Sequence, residues 1–148
     1  MSQRMPALSI RPARFRDASV IYELTTAMGY QNSLGELRSR LDEILANGDN
    51  EIFVASDDAT LVGWVHVFVA RRLGVPGFAE IGGIVTLQRY RRRGIGRLLI
   101  EHCESWARGM NLSSLRARCK AQRREAHAFY ENSAFVGSKR QTVFIKRL

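Results

Sequence analysis

The spacing of apolar residues along the chain predicts short strands that alternate with amphipathic helices. In four segments apolar side chains recur every three or four positions, as on one face of a helix. In six others they alternate with polar residues or form runs rich in Val, Ile and Phe, as strands do. The predicted helices span 17–28, 33–45, 94–108 and 123–132, and the predicted strands span 8–11, 52–55, 61–69, 78–86, 113–119 and 142–145. The pattern allows one further short strand at 135–136.

Capping and turn residues mark several of these boundaries. Asp17 stands where it can cap the first helix, and Ser33 with Glu36 three positions later forms a capping-box pattern for the second. Gly109 is placed to end the third helix. Residues 71–77 hold two glycines and a proline, which predicts a loop.

The order of elements is β-α-α-β-β-β-α-β-α-β, without internal repeats or linkers. A meander of hairpins that leads into a strand–helix–strand unit predicts an α/β (α+β) fold with a mixed sheet and helices on its faces. A chain of 148 residues is long enough to bury one core, so we expect a single domain over residues 1–148.

Composition and charge narrow the classes of partner. The net charge of +9 favours anionic partners such as nucleic acid, an acidic membrane surface or a polyphosphate cofactor. No apolar run approaches the ~18 residues that span a bilayer, so no membrane association is expected. Cys103 and Cys119 form no disulfide framework and are expected to be buried thiols in a cytoplasmic protein. No His, Cys, Asp or Glu group has metal-ligand spacing, which predicts no metal.

The strongest chemical signal is an arginine-rich turn between a predicted strand and a predicted helix. Residues 88–97 hold five arginines and two glycines. A glycine turn that opens a helix presents backbone N–H groups and the positive end of the helix dipole, which together bind anions such as phosphate. The Gly82–Gly83 pair in the preceding strand predicts a bulge, or a ligand close to the backbone.

The residues of the turn do not match two common nucleotide-binding motifs. No Gly-Lys-Ser/Thr follows, as in an ATP-binding loop, and the Gly-x-Gly-x-x-Gly of a dinucleotide site is absent. The pattern Arg-x-x-Gly-x-Gly, formed by Arg91, Gly94 and Gly96, instead resembles the cofactor turn of the GNAT superfamily of acetyl-CoA-dependent N-acetyltransferases. In that family a Val-x-Pro segment precedes the turn, and here Leu87 replaces the proline.

A second motif strengthens the resemblance. Residues 123–135 resemble the family pattern Ala-x-x-Phe/Leu-Tyr-x-x-x-Gly-Phe, with Ala126, Phe129 and Tyr130 in place. Arg123 stands where many members have Asn, and Ala134 where they have Gly, a position that needs φ tolerance. The resemblance implies a mixed, mostly antiparallel sheet of six to seven strands with about four helices.

The resemblance also implies how acetyl-CoA would be held. Backbone groups of Ile84 and Val85 would pair with the pantetheine arm as an additional strand does. The predicted phosphate-binding and neighbouring cofactor residues are Arg91, Arg92, Arg93, Gly94, Ile95, Gly96, Arg97, Arg123 and Phe129.

Catalytic roles follow from the same resemblance and from the chemistry of amide formation. Tyr130 would act as general acid toward the departing thiolate. The attacking amine must be neutral, so a base is needed, and Glu80 is the first candidate with His66 second. A backbone N–H near Ile84 or Val85 would stabilise the oxyanion. The candidates for the acceptor site are Tyr30, Trp64, His66, Phe68 and Phe78.

The predicted function is direct acetyl transfer from acetyl-CoA to a primary amine, of a small molecule such as an aminoglycoside or a metabolite. Acetylation of a protein or peptide amine, and a non-catalytic acyl-CoA- or nucleic-acid-binding module, are the alternatives. Nucleic acid is disfavoured because Tyr90 is the only aromatic residue within the arginine cluster. The edge of the predicted strand 142–145 would serve a homodimer.

Overall fold

The computed structural model of the chain describes residues 8–91 and 93–148. The strands are β1 (Leu8–Pro12), β2 (Asn50–Asp57), β3 (Thr60–Arg72), β4 (Val75–Thr86) and β5 (Leu115–Ala117). The helices are α1 (Ala18–Ala27), α2 (Leu34–Leu45), α3 (Ile95–Gly109) and α4 (Arg124–Asn132), with 3-10 turns at Phe15–Asp17 and Gln88–Tyr90. Two compact units result: one extends to Arg116, and the other spans Ala117–Leu148.

The sheet has the strand order β1-β2-β3-β4-β5, and the first four strands are antiparallel neighbours. The mixed α/β class and the four helices are confirmed, but the described residues form five strands rather than six or seven. The predictions of strands at 135–136 and 142–145 were wrong, because those residues have no strand structure. A strand needs a neighbouring ladder, and within the second unit only Ala117 belongs to one. The homodimer stays a prediction.

The expected loop at 71–77 is a tight hairpin instead. β3 continues to Arg72 and β4 begins at Val75, and these two residues pair across the turn. The proline at position 76 is tolerated because it lies at the end of a strand, where a missing N–H disrupts the ladder least.

Helices cover both faces of the sheet in the first unit. On one face α1 and α2 pack over β2 and β3 through a core that includes Leu24, Leu41 and Val54. On the other face α3 lies so close to β3 that a Cβ on Gly63 would sit 3.5 Å from Leu99. No helix in the described part of the chain is long and apolar enough to cross a membrane.

The observed ends of the helices agree with one capping signal in the sequence and differ from another. The capping box of α2 is confirmed, with the Glu36 N–H donating to Ser33 Oγ at 3.1 Å. The end of α3 differs from expectation, because Gly109 belongs to the helix and Asn111 takes the left-handed conformation at φ 61°. The Leu112 N–H then donates to the Ala107 carbonyl at 2.9 Å, which closes the helix as in a Schellman motif.

Asp17 precedes α1 but makes no side-chain cap. Its carboxylate accepts two hydrogen bonds of 2.8 Å from the Arg11 guanidinium and one of 2.7 Å from the Arg14 N–H. These contacts fix β1 to the start of α1. The hydrogen bonds from Arg11 lower the pKa of Asp17 against the opposing effect of burial.

We expect Asp17→Asn to reduce the free energy of unfolding at pH 7 by about 1–3 kcal/mol, because a partly buried guanidinium loses its charged acceptor. The lowered pKa means that the carboxylate stabilises the fold above its unfolded-state pKa of ~3.9 and that this contribution disappears as the pH falls through the folded pKa. Urea unfolding from pH 7 to pH 2 would measure both. Glu101→Gln, which removes an exposed ion pair with Arg97, is the control and should cost about 0.5 kcal/mol or less. Equal effects of the two variants would contradict the prediction.

Candidate functional site

The Gly82–Gly83 pair forms a bulge in β4, as the sequence predicted. Gly83 pairs with His66 and Ile81 with Val67, so Gly82 is an additional residue without a partner on β3. In such a bulge two residues oppose one, and both direct their Cα substituents to the same face. A Cβ on Gly82 would meet the His66 ring, and one on Gly83 would meet the Trp64 ring. The bulge therefore bends β4 directly before Ile84.

The residues after the bulge have a strand partner on one side. Ile84 pairs with Val65 of β3, and Val85 is buried opposite Trp64. On the other side of β4, the Ala79 N–H donates to the Ser114 carbonyl at 3.0 Å. The three residues of β5 that follow Ser114 are too few to reach Ile84 in either direction. β5 therefore leaves this edge of β4 available to an extended ligand.

The turn after β4 places a glycine in the left-handed conformation directly before α3. Gly94 has φ 79° and ψ 9°, and its carbonyl accepts the first helical hydrogen bond from Leu98 at 3.0 Å. The N–H groups of the first helical turn, Ile95 to Arg97, have no helical acceptor and point out of the helix. A Cβ at position 94 would meet nothing within 4 Å, so φ rather than space requires glycine.

The arginines of the turn surround these N–H groups. Arg91, Arg93 and Arg97 are exposed, and Arg92 lies outside the described residues. Arg97 makes a weak contact with Glu101, at 3.7 Å, between largely exposed side chains. The turn therefore combines helix N–H donors with accessible positive charge.

Tyr90 fixes this turn to the rest of the first unit. Its hydroxyl donates to Asp57 Oδ2 at 2.9 Å, at the hairpin between β2 and β3. The guanidinium carbons of Arg89 and Arg93 lie 5.4 and 5.2 Å from the centre of its ring. The ring thus holds two cations of the cluster. In the sequence, a single tyrosine among arginines was the only sign that Tyr90 had a special role. The pattern did not identify Asp57 as the acceptor of its hydrogen bond.

The second predicted motif forms α4 in the second unit. Arg123 is its N-cap, with an exposed side chain that makes no cap hydrogen bond. Tyr130 lies between Phe129 and Phe135, with edge-to-face ring contacts at centroid distances of 5.2 and 5.3 Å. This packing restricts the orientation of the tyrosine ring.

Ala134 has the left-handed conformation that its position demands. It lies at φ 64°, and the Phe135 N–H donates to the Tyr130 carbonyl at 3.0 Å, which closes α4 as a Schellman motif does. Glycine adopts this conformation without the penalty of a Cβ. The departure from the family pattern is therefore a source of strain.

Ala134→Gly should raise the free energy of unfolding by about 0.5–1 kcal/mol, because relief of left-handed strain exceeds the added entropy of the unfolded chain. Ala128→Gly, in the interior of the same helix, provides a control of opposite sign and should lower it by about 1 kcal/mol. Chemical unfolding of the two variants measures both effects. A loss of stability in both would show that position 134 does not require a left-handed residue.

His66 and Glu80 point to the same face of the sheet. Phe68 pairs with Asn50 on β2 and with Glu80 on β4, so these three side chains form one row. His66 lies two residues before Phe68 and therefore shares this face. Its Nε2 is 2.9 Å from Asn50 Oδ1, and burial lowers the pKa of the imidazole. Glu80 is 8% exposed and has an interaction of its own.

The other predicted acceptor residues are divided between a pocket and the core. Tyr30 is 51% exposed and lines an open pocket of about 600 Å³ between α1 and α2. Its other lining residues are Thr26, Gly29, Gln31, Asn32, Ser33 and Glu36. Phe78 is 1% exposed, with the Arg116 guanidinium carbon 3.7 Å from its ring centre, so it offers no surface to a ligand in this structure.

Thr25 connects the pocket to Trp64, although the sequence did not single it out. Its hydroxyl accepts from Trp64 Nε1 at 3.1 Å and donates to the Ile21 carbonyl at 2.6 Å. Its carbonyl accepts from the Tyr30 N–H at 3.3 Å. The sequence contains little indication of this contact, because Trp64 lies 39 residues from Thr25 along the chain.

The two thiols differ. Cys103 is buried, and burial raises its pKa to about 12, whereas Cys119 is exposed. The expectation that both are buried was wrong for Cys119, because β5 ends at Ala117 and the strand alternation does not continue to residue 119. Within residues 8–91 and 93–148 no cluster of three His, Cys, Asp or Glu is arranged to hold a metal ion.

Comparison with known sequences identifies a family. The sequence model of the acetyltransferase (GNAT) family matches residues 18–135. An uncharacterized N-acetyltransferase of Chlorobaculum tepidum is 34% identical over 104 residues. That match covers 68% of this chain and 62% of the relative, so the chain spans less than two thirds of the relative's length.

Comparison with solved structures agrees with the fold. An aminoglycoside N-acetyltransferase in complex with coenzyme A has a TM-score of 0.89 and 16% identity, with all of both chains covered. An aminoglycoside antibiotic 6'-N-acetyltransferase of Acinetobacter baumannii has a TM-score of 0.84 and 18% identity, covering 96% of this chain and 99% of that one. At these identities the likeness is one of fold.

Proposed function

Because the chain belongs to the acetyltransferase (GNAT) family, we propose that it transfers an acetyl group from acetyl-CoA to the primary amine of a small molecule. The observation that carries the proposal is the bulge at Gly82, followed within the same unit by a left-handed Gly94 at the start of α3. An open strand edge and a helix start with unpaired N–H groups match the two ends of coenzyme A. The pantetheine arm has amides, and the other end has phosphates.

The donor is held mainly by backbone groups. The edge of β4 at Ile84 and Val85 pairs with the pantetheine amides, and the N–H groups of Ile95, Gly96 and Arg97 bind the pyrophosphate. Arg91, Arg92 and Arg93 supply charge to the phosphates, with Arg97. Arg123 and Phe129 are proposed cofactor residues through the second motif. The whole chain, residues 1–148, is proposed to form one transferase domain.

The chemistry is a direct attack of the amine on the thioester. The amine nitrogen forms a bond to the carbonyl carbon, the oxyanion is stabilised by a backbone N–H near Ile84 or Val85, and the carbon–sulfur bond then breaks. Tyr130 protonates or hydrogen-bonds the departing thiolate. A side chain on the sheet face that carries His66 and Glu80 takes the proton from the amine.

The open pocket between α1 and α2 supports a small, hydroxylated amine as the acceptor. Its lining combines one exposed aromatic ring with amide and hydroxyl groups, and Glu36 supplies a carboxylate to attract an ammonium group. Tyr30 offers the ring for contact with a sugar-like face. Aminoglycosides and amino sugars have this chemistry, and the two structural relatives act on aminoglycosides by their names.

The proposal is tested with purified protein, acetyl-CoA and a panel of amines, by following the release of free thiol. The panel contains aminoglycosides, amino sugars, polyamines, amino acids and a lysine peptide. The exposed Cys119 reacts with thiol reagents and would raise the background, so Cys119→Ser is used as the reference protein. Amine-dependent thiol release, with the acetylated product detected by mass spectrometry, is the expected result.

Other outcomes identify the alternatives. Transfer to the lysine peptide alone would favour a protein acetyltransferase. Coenzyme A binding without transfer to any amine would favour an acyl-CoA-binding module. Salt-sensitive binding of DNA or RNA without coenzyme A binding would contradict the proposal and favour a nucleic-acid-binding protein.

A further inference from the structure

We propose that His66 is the general base of the proposed transfer, that Asn50 is its positioning residue, and that Gly82 leaves the opening through which the amine reaches the imidazole. The inference rests on the proposed function and names the group that removes the proton. It also decides between the two bases considered from the sequence, in favour of His66 over Glu80.

The hydrogen bond with Asn50 determines which nitrogen of the ring is free. Nε2 of His66 lies 2.9 Å from Asn50 Oδ1, an amide oxygen that can only accept. Nε2 therefore carries the proton, and Nδ1 keeps its lone pair. Phe68 supports the ring from the next position on this face of β3, at a centroid distance of 5.5 Å. A base with a fixed tautomer and a third group to orient it is the arrangement that general-base catalysis requires.

The bulge gives Nδ1 access to a ligand. A Cβ on Gly82 would lie 2.5 Å from Nδ1 of His66, closer than a non-bonded contact allows, so any side chain there would crowd this nitrogen. Gly82 is exposed and His66 is half-buried, so a ligand that enters beside Gly82 would meet the edge of the ring that carries Nδ1. The bulge places this position two residues before Ile84, where the acyl end of the extended cofactor is proposed to run.

Glu80 is less suited to the role in this structure. It is 8% exposed and already takes part in another interaction, so an amine has little access to its carboxylate. It lies opposite Phe68, whereas Gly83, opposite His66, is three residues closer to the cofactor end of β4. The base nearer to the acyl group is therefore the imidazole.

The surroundings of His66 keep it neutral at pH 7. Burial lowers its pKa from the ordinary value. Asp49 and Glu51 flank Asn50, and Glu51 points to the opposite face of the sheet because side chains alternate along β2. Glu80 is the carboxylate that β4 contributes to this face. None of the three reverses the effect of burial on the imidazole.

The proposed step transfers one acetyl group and releases one proton. Nδ1 of His66 takes one proton from the acceptor ammonium, and the freed lone pair forms the bond to the thioester carbon. The tetrahedral nitrogen then loses its second proton to solvent, the carbon–sulfur bond breaks, and the thiolate leaves with the electron pair and takes up a proton from Tyr130, which regains one from solvent. His66 finally releases its proton to solvent, so the products are the amide, the free thiol of coenzyme A and one proton.

The first test compares the pH dependence of kcat/KM in the wild type, His66→Gln and Glu80→Gln. The wild type should lose activity below the lowered pKa of His66, because only the neutral ring accepts a proton. His66→Gln should lower kcat/KM about 100-fold and remove this acid limb, with the affinity for coenzyme A unchanged. His102→Gln, on α3 at the opposite face, is the control and should retain the wild-type profile. An acid limb that persists in His66→Gln but is lost in Glu80→Gln would overturn the inference.

The second test changes Asn50, the hydrogen-bond partner of the imidazole. Asn50→Asp places a carboxylate at Nε2, which should raise the pKa of His66 and move the acid limb upward by about one pH unit or more. Nitrogen-15 NMR of His66 reports the same pKa and tautomer without turnover, so it tests the positioning role separately from activity. An unshifted His66 pKa in Asn50→Asp would overturn the role of Asn50.

The third test closes the opening. Gly82→Ala should reduce kcat/KM for the amine more than tenfold, because the methyl group would displace the ring or block Nδ1. Gly83→Ala is the matched control, because its Cβ would meet Trp64 at 3.1 Å and leave Nδ1 open. Equal losses of kcat/KM in the two variants would contradict the proposal that the amine reaches His66 beside Gly82. A wild-type protein inactive on every amine would instead refute the proposed function, and the NMR result would still stand.

Discussion

Replacing Gly94 with valine is expected to lower the affinity for coenzyme A by roughly 100-fold or more, the equivalent of losing one or two hydrogen bonds to charged phosphate. Gly94 has φ 79°, a conformation that β-branched residues almost never adopt. The turn must therefore change its path, and the N–H groups that open α3 lose their common direction. Isothermal titration with coenzyme A measures the effect without requiring an acceptor.

A second glycine with positive φ offers a matched control. Gly29 has φ 89°, and, as at Gly94, a Cβ added there would meet no atom within 4 Å, so Gly29→Val introduces similar backbone strain in the loop between α1 and α2. Gly29→Val should lose stability to a similar extent and still bind coenzyme A. Undiminished binding by a folded Gly94→Val protein would show that the phosphates do not bind at this turn.

Replacing Tyr130 with phenylalanine should reduce kcat roughly 10- to 100-fold, because the thiolate then leaves without a proton donor. KM for acetyl-CoA should change little, since the hydroxyl acts on charge that develops only as the carbon–sulfur bond breaks. A phenylalanine keeps the ring contacts with Phe129 and Phe135, so the fold of α4 should persist. Steady-state kinetics with the best amine of the panel provides the measurement.

Tyr22→Phe is the control for this variant, because Tyr22 is half-buried on α1 in the other unit and belongs to neither motif. Its kcat should equal that of the wild type. If Tyr130→Phe also retains the wild-type kcat, protonation of the thiolate must come from solvent and the proposed general acid is refuted.

Most elements were predictable because their signals are local. The capping box at Ser33, the bulge at Gly82–Gly83 and the glycine turn at Gly94 depend on residues within a few positions of each other. The boundaries of elements were less well predicted where two neighbouring residues could each end a helix. At the end of α3, Asn111 rather than Gly109 adopts the left-handed conformation, and the helix continues through the glycine.

Strand formation in the second half of the chain was overestimated for a different reason. Residues 142–145 have the composition of a strand, and Val143, Phe144 and Ile145 are largely exposed. Alternation and β-branching describe a surface that fits a sheet, but a strand also needs a neighbour for its hydrogen bonds. Composition alone does not supply that neighbour.

The candidate site was predicted unevenly. The proposed donor side rests on two motifs, and in the structure the first motif has a bulge at Gly82 before it and a left-handed Gly94 within it. The acceptor side was predicted from residues near the first helical pair and on the middle strands, and the structure brings only some of them together. Tyr30 lines the pocket, Trp64 packs against the helices, and Phe78 is buried beneath Arg116.

The sequence by itself determined the family, the order of most elements and the glycine that the turn before α3 requires, because these depend on backbone conformation and on neighbours within one or two turns. Tertiary structure alone decided which distant groups meet. Asn50 reaches His66 across 16 residues, Tyr90 reaches Asp57 across 33 and Trp64 reaches Thr25 across 39. Each of these contacts depends on strand register or helix packing, which the whole core sets at once. The glycine pair in β4 is visible in the sequence, but only the fold shows that one of them faces a histidine nitrogen.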